Sequence, residues 1–209
     1  MQSKPPGAAS TVHLPVRQDW LDRRREAIIE PELPIVDPHH HLVDRPKTGR
    51  YLLPDLLADI GSSQRSQASP DAVSASSAGA RSGHKITATV YLEWLSMYRA
   101  AGSAELRPVG EVEFANGVAA MAASGTYGKT QVCAGIVGYA DLAQGAPVEK
   151  VLEAMIEAGG GRFRGIRFIT ASHPDQAVWG SPIDPPRGAI AGPEGARGLC
   201  PAGAARSQL

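Results

Sequence analysis

Short apolar runs alternating with helical stretches constrain this chain more than any other feature. Ile86, Thr87, Ala88, Thr89, Val90, Tyr91, Leu92 and Glu93 form a β-branched, almost continuous apolar run. Such a run suits a parallel strand covered on both faces. Residues 111–124 then read as a helix, with Val112, Ala115, Val118, Ala119 and Ala122 on one stripe and Gly125 as its stop. A strand follows from Val132 to Tyr139. Pro147 opens a second helix with Val148, Val151, Leu152, Met155 and Ile156 at i, i+3, i+4, i+7 and i+8, closed by Gly159. Residues 163–169 read as a further strand, and Pro34, Ile35, Val36 and Asp37 as a short first one. The order is strand, insertion, strand, helix, strand, helix, strand. It implies βα units, a parallel sheet and the α/β class.

The stretches outside this pattern set the expected boundaries. Residues 1–33 are polar and read as an N-terminal arm, with Asp19 as cap of a short helix through Trp20, Arg24 and Ala27. Residues 61–83 hold eight Ser and almost no large apolar side chain. Such a segment buries too little surface to offset its ordering entropy, so a disordered insertion is expected there. Residues 188–209 hold five Gly, six Ala and two Pro with neither strand nor helix period, so an unstructured tail is expected. That leaves 34–187 as the folded unit. A complete (β/α)₈ barrel needs about 250 residues, with roughly 200 as the floor. The 209 residues, less these segments, fit a partial TIM barrel of about strands one to four.

Composition narrows the partners. The formal net charge is zero and charged residues are 20%. Neither nucleic acid nor an anionic membrane is favoured by that balance. No apolar run approaches the ~18 residues of a membrane span, and the first twenty residues lack a signal-peptide core. Cys133 and Cys200 form no disulfide framework or zinc pattern, so a reducing, cytoplasmic setting is expected.

Chemistry concentrates in Asp37, Pro38, His39, His40 and His41, directly after the first apolar run. Alternate strand residues share a face, so His39 and His41 should project together and His40 the other way. Two imidazoles so placed make a first pair of ligands for a divalent metal. Three histidines lining a polar loop is the plainer alternative, and the residues alone leave both open. The HxHxDH arrangement of metallo-β-lactamases fits poorly, because Leu42 and Val43 precede Asp44.

This His-x-His after a first strand resembles the amidohydrolase-related family of TIM-barrel metal-dependent hydrolases. So do the runs ATVYLEWLSMY (88–98), RPVGE (107–111), VCAGIVGYADL (132–142) and FRGIRF (163–168). The resemblance spans about 34–60 and 84–187. It implies metal-assisted hydrolysis of a small carboxylate-bearing lactone or amide, with His39 and His41 on zinc or manganese. It gives Glu93, at the end of the second strand, a ligand or substrate role, set against a solvated strand-end carboxylate. It gives Arg167 the substrate carboxylate, which its forked guanidinium suits. A structural ion pair, for instance with Glu93, is the competing role for Arg167. The family's later strands supply a further histidine and the general-base aspartate, and His173 lies in a Ser-His-Pro-Asp loop that does not match them. The implied hydrolase is therefore expected to be truncated and inactive as this chain. The alternative is a non-catalytic fragment or interaction half-barrel, self-associating through unpaired sheet edges.

Other motifs carry less. Gly159, Gly160 and Gly161 follow a helix, whereas a phosphate loop precedes one. Asp175 and Asp184 sit in Pro-rich loops, Cys133 reads as inert packing, and Trp94, Met97 and Tyr98 as packing or pocket wall.

Overall fold

In the computed structural model, residues 17–21, 23, 29–45, 49–61 and 84–170 are described. The elements are α1 (Gln18–Leu21), β1 (Pro34–His40), β2 (Val43–Arg45), β3 (Gly49–Tyr51), α2 (Leu53–Asp59), β4 (Lys85–Leu92), α3 (Val109–Ala123), β5 (Gln131–Gly138), α4 (Val148–Ala158) and β6 (Phe163–Ile166). β1, β4, β5 and β6 form one parallel sheet in that spatial order, which is also their chain order. The chain is thus α/β, with a four-stranded parallel sheet. The expected disordered insertion lies outside the described residues from position 62, and so does the expected tail at 188–209. None of the described helices is long and apolar enough to cross a membrane.

The buried face of the sheet explains why α3 and α4 form where they do. A Cβ built on Gly138 of β5 would lie 3.0 Å from Val112, 3.2 Å from Met155 and 3.3 Å from Phe163. α3, α4 and β6 therefore meet over the C-terminal end of β5, where glycine leaves them room. The α3 stripe of Val112, Ala115, Val118, Ala119 and Ala122 is buried throughout. Gly125, with φ +78°, ends the helix as a left-handed glycine can and other residues cannot without strain. In α4 the buried edge is Val148, Val151 and Met155, while Ile156 stays 39% exposed, so the apolar stripe is narrower than its period suggests. Asn116 joins the two helices: its amide donates to Ala158 O and accepts from Arg162.

Between β1 and β4 the chain makes an antiparallel β2–β3 pair and then α2. Pro54 lies in the first turn of α2, and Asp55 accepts from the Leu52 N–H at 2.8 Å, so a donor without a helical partner is satisfied. Leu53, Leu56 and Leu57 then drop into the common core. At the N-terminus, Asp19 lies inside the single turn of α1 rather than capping it, and an exposed Arg17 pairs with it. Most of the helix expected beyond that turn lies outside the described residues.

Candidate metal and substrate site

The C-terminal end of β1 orders the three histidines by strand alternation. His39 is exposed, His40 is buried and His41 is half-buried. Pro38 contributes no N–H, and the Asp37 carboxylate takes the His39 N–H at 3.0 Å, locally bending the strand. The pairing with β4 shifts register between Asp37 and His40 at the same point. The bend brings His39 Nε2 within 3.2 Å of His41 Nε2, with the two rings edge to face at 87°.

His41 is oriented from behind. Its Nδ1 lies 2.9 Å from the Leu92 carbonyl oxygen, at the end of β4. A carbonyl only accepts, so Nδ1 carries a proton, which leaves Nε2 as the nitrogen turned toward His39. The Trp94 ring lies against the imidazole at 4.7 Å. A backbone carbonyl on the far nitrogen is how a ligating histidine is usually held. The geometry also fits an ion: two nitrogens each about 2.1 Å from a tetrahedral zinc are about 3.4 Å apart. Among the described residues, no group of three or more His, Cys, Asp or Glu is placed to hold a metal. The donor set there consists of His39 and His41.

His40 turns the other way, into the core. Its Nε2 is 2.9 Å from Thr89 Oγ1, which also accepts from the Cys133 N–H at 3.0 Å. Burial, opposed by the Asp37 charge, pushes the His40 pKa down to about 4, so the ring is neutral. Cys133 is fully buried, and burial pushes its thiol up to about 12, as inert packing requires.

Glu93 and Arg167, 74 residues apart, meet at the same end of the sheet. Arg167 Nε donates to Glu93 Oε1 at 2.6 Å, and its Nη2 to the Glu93 carbonyl at 2.5 Å. The Arg167 N–H in turn donates to Gly138 O, so the pair spans β4, β5 and the end of β6. Glu93 is fully buried and is no solvated strand end. Its second oxygen accepts from the Leu95 N–H at 3.1 Å. The ion pair weighed against substrate binding for Arg167 is present. It leaves Nη1 of the guanidinium without a hydrogen-bond partner among the described residues.

Sequence reasoning passed over Glu111, which is 99% buried in the first turn of α3. Its Oε1 accepts from Tyr91 Oη and the Trp94 N–H, both at 2.7 Å, and from Ser96 N and Oγ, both at 3.3 Å. Its Oε2 is buried with no hydrogen-bond partner among the described residues, as is Tyr98 Oη. Burial raises the Glu111 carboxyl above the usual range, against the pull of the Trp94, Tyr91 and Ser96 hydrogen bonds. Burial also raises the Tyr98 phenol. The signal was in the sequence: Glu111, Ala115, Val118 and Ala122 share one helical stripe, so a carboxylate stands among apolar side chains.

Compared with models of protein families, with curated proteins and with solved structures, the chain matches none.

Proposed function

We propose that this chain carries the first half of the barrel of a divalent-metal-dependent hydrolase of the amidohydrolase-related kind, acting on a small carboxylate-bearing lactone or amide. One observation carries the reading: two imidazoles at the C-terminal end of the first strand converge at the spacing of a shared ion, with the outer nitrogen of His41 held by a backbone carbonyl. The sheet supports it. Doubly wound sheets reverse strand order and place helices on both faces. Here the strands run in chain order, and α3 and α4 meet over one face, as in a barrel wall.

His39 and His41 would hold zinc or manganese, which would activate water and polarise a carbonyl. The chain's own residues do the rest. Leu92 O and Trp94 fix the His41 ring. Glu93 anchors Arg167 and aims its remaining nitrogen, which is the end that would meet a substrate carboxylate. A third ligand and a proton acceptor have to come from outside the described residues, in this chain or another. A cytoplasmic setting, where the Cys133 thiol stays reduced, goes with this reading.

The test is the metal content of zinc-loaded and manganese-loaded protein, read beside a His39→Ala/His41→Ala double variant. Near-stoichiometric metal that disappears in the variant is expected, and equal content in both would end the reading. Tight metal binding with no turnover of carboxylate-bearing lactones would favour the non-catalytic half-barrel.

A further inference from the structure

We propose that Glu111 is a positioning residue for His41, acting through the 93–98 turn and Trp94. The inference rests on reading His39 and His41 as a metal-holding pair. The turn is strained. Leu95 and Met97 both adopt left-handed backbone, at φ +54° and +56°. For residues with a Cβ such backbone is unfavourable, and it persists only where the surroundings impose it. Glu111 restrains the turn together with Glu93, which takes the Leu95 N–H: one Glu111 carboxylate oxygen gathers the Trp94 N–H, the Ser96 N–H and the Ser96 hydroxyl. Gly110 brings the helix close enough. A Cβ there would lie 2.6 Å from Met97 O and 2.7 Å from Arg99 N.

Two routes lead from the turn to the metal pair. Trp94, whose N–H ends on Glu111, lays its ring against His41 at 4.7 Å. The Ser96 hydroxyl shares its proton between Glu111 Oε1 and the carbonyl of Leu42, the residue after His41, at 3.2 Å. Leu42 is fully buried, so that end of β1 has little freedom. A carboxylate in the first turn of a core helix thus fixes both the ring face of His41 and the backbone that follows it. Nothing in this role requires Glu111 to touch metal or substrate.

The experiment follows the histidine-ring carbon–proton signals of the metal-free full chain, with His41 assigned through a His41→Gln variant, and measures the affinity for zinc ions alone. Glu111→Leu removes the acceptor. Glu111→Gln keeps an oxygen for the same donors. Val151→Ala loosens α4 without touching the turn. In Glu111→Leu the His41 signals should move or broaden, and the zinc dissociation constant should rise roughly tenfold or more. Glu111→Gln should restore both toward wild type, and Val151→Ala should leave the His41 signals in place. Unmoved His41 signals in a folded Glu111→Leu protein overturn the proposal, as does an equal displacement in Val151→Ala. Should Glu111→Leu not fold, Ser96→Ala decides: a smaller displacement of the same signals is expected, and none overturns it. A wild-type chain that takes up no zinc defeats the metal reading, whereas the ring signals still decide the positioning role.

Discussion

Acidifying the metal-free protein from pH 7 to pH 4 should weaken it through His40, and a His40→Leu variant should lack that component. The ring is buried, and its Nε2 is engaged with Thr89. Its Nδ1 is buried with no hydrogen-bond partner among the described residues, and burial outweighs the Asp37 charge and the His41 backbone, which favour the charged ring. The folded pKa falls from 6.5 to about 4. Between those values the unfolded chain binds a proton that the folded chain does not. The stabilisation is therefore complete above about pH 6.5 and is lost as the pH falls toward 4. At about 1.4 kcal/mol per pH unit, the gap amounts to about 3 kcal/mol. Urea unfolding of both proteins at intervals from pH 7 to pH 4 measures it. The difference between the two stability curves reports His40 with its coupling to Asp37, His39 and His41, and groups outside that cluster cancel. That matters because Glu111 acts with the opposite sign. Its raised carboxyl binds a proton more readily in the folded state, so it contributes stability as the pH falls. The wild-type advantage over His40→Leu should shrink by about 3 kcal/mol on going to pH 4. Parallel curves would refute the claim that His40 is held neutral by burial.

Three further outcomes follow from the same contacts. Arg167→Met strands the fully buried Glu93 carboxylate and should destabilise by about 3–5 kcal/mol, with part recovered in Arg167→Met/Glu93→Gln; a double variant no better than the single one would show that the pairing is not the cause. In a Cys200→Ser background, Cys133 should resist alkylation at pH 8 until the protein is unfolded, since burial keeps its thiol near 12; rapid labelling of native protein would contradict this. Gly110→Ala should lose about 1–3 kcal/mol by crowding the Met97 and Arg99 backbone, despite the roughly 1 kcal/mol that alanine gains in a helix; a stabilised variant would mean that the α3–turn contact is looser than drawn.

What the sequence made legible follows from which features are local. The β4 run announces itself by its continuous β-branched, apolar character and the α3 stripe by its period, and both elements lie within two residues of the expected bounds. The split of His40 from His39 and His41 needed only strand alternation, and it holds across exposed, buried and half-buried environments. The β2–β3 pair was not legible, because three-residue strands as polar as Val43–Arg45 and Gly49–Tyr51 carry no alternation to count. α2 is too short at seven residues for a helical period to be counted, although Pro54 early in it is the mark of a helix start. Arg167 could be paired with Glu93 or left for a ligand on sequence grounds, because a separation of 74 residues is closed only by the sheet. Glu111 was missed for a different reason. Period alone ranks a stripe by its apolar members and passes over the one charged residue among them, which here gathers four hydrogen bonds.

Much of the strain and buried charge among the described residues gathers at one end of the sheet. The packing of α3 and α4 over β5 is made of Val112, Met155, Phe163 and their neighbours, with a glycine where they crowd. Val112, Met155 and Phe163 carry neither a side-chain nitrogen or oxygen nor a left-handed backbone, whereas Cys133 of β5, in the same core, has φ +53°. The left-handed residues Leu95 and Met97, the buried carboxyls of Glu93 and Glu111 and the converging histidines all lie together, around the C-terminal ends of β1 and β4. Strain and buried charge destabilise, so a fold retains them where the surroundings impose them. In a parallel sheet with helical crossovers, the carbonyl ends of the strands are where ligands bind. At that end a local cost in stability can be offset by a fixed geometry. A carboxylate such as Glu111, bolted to a core helix yet spending its hydrogen bonds on a strained turn, is the part of the structure where the two demands meet.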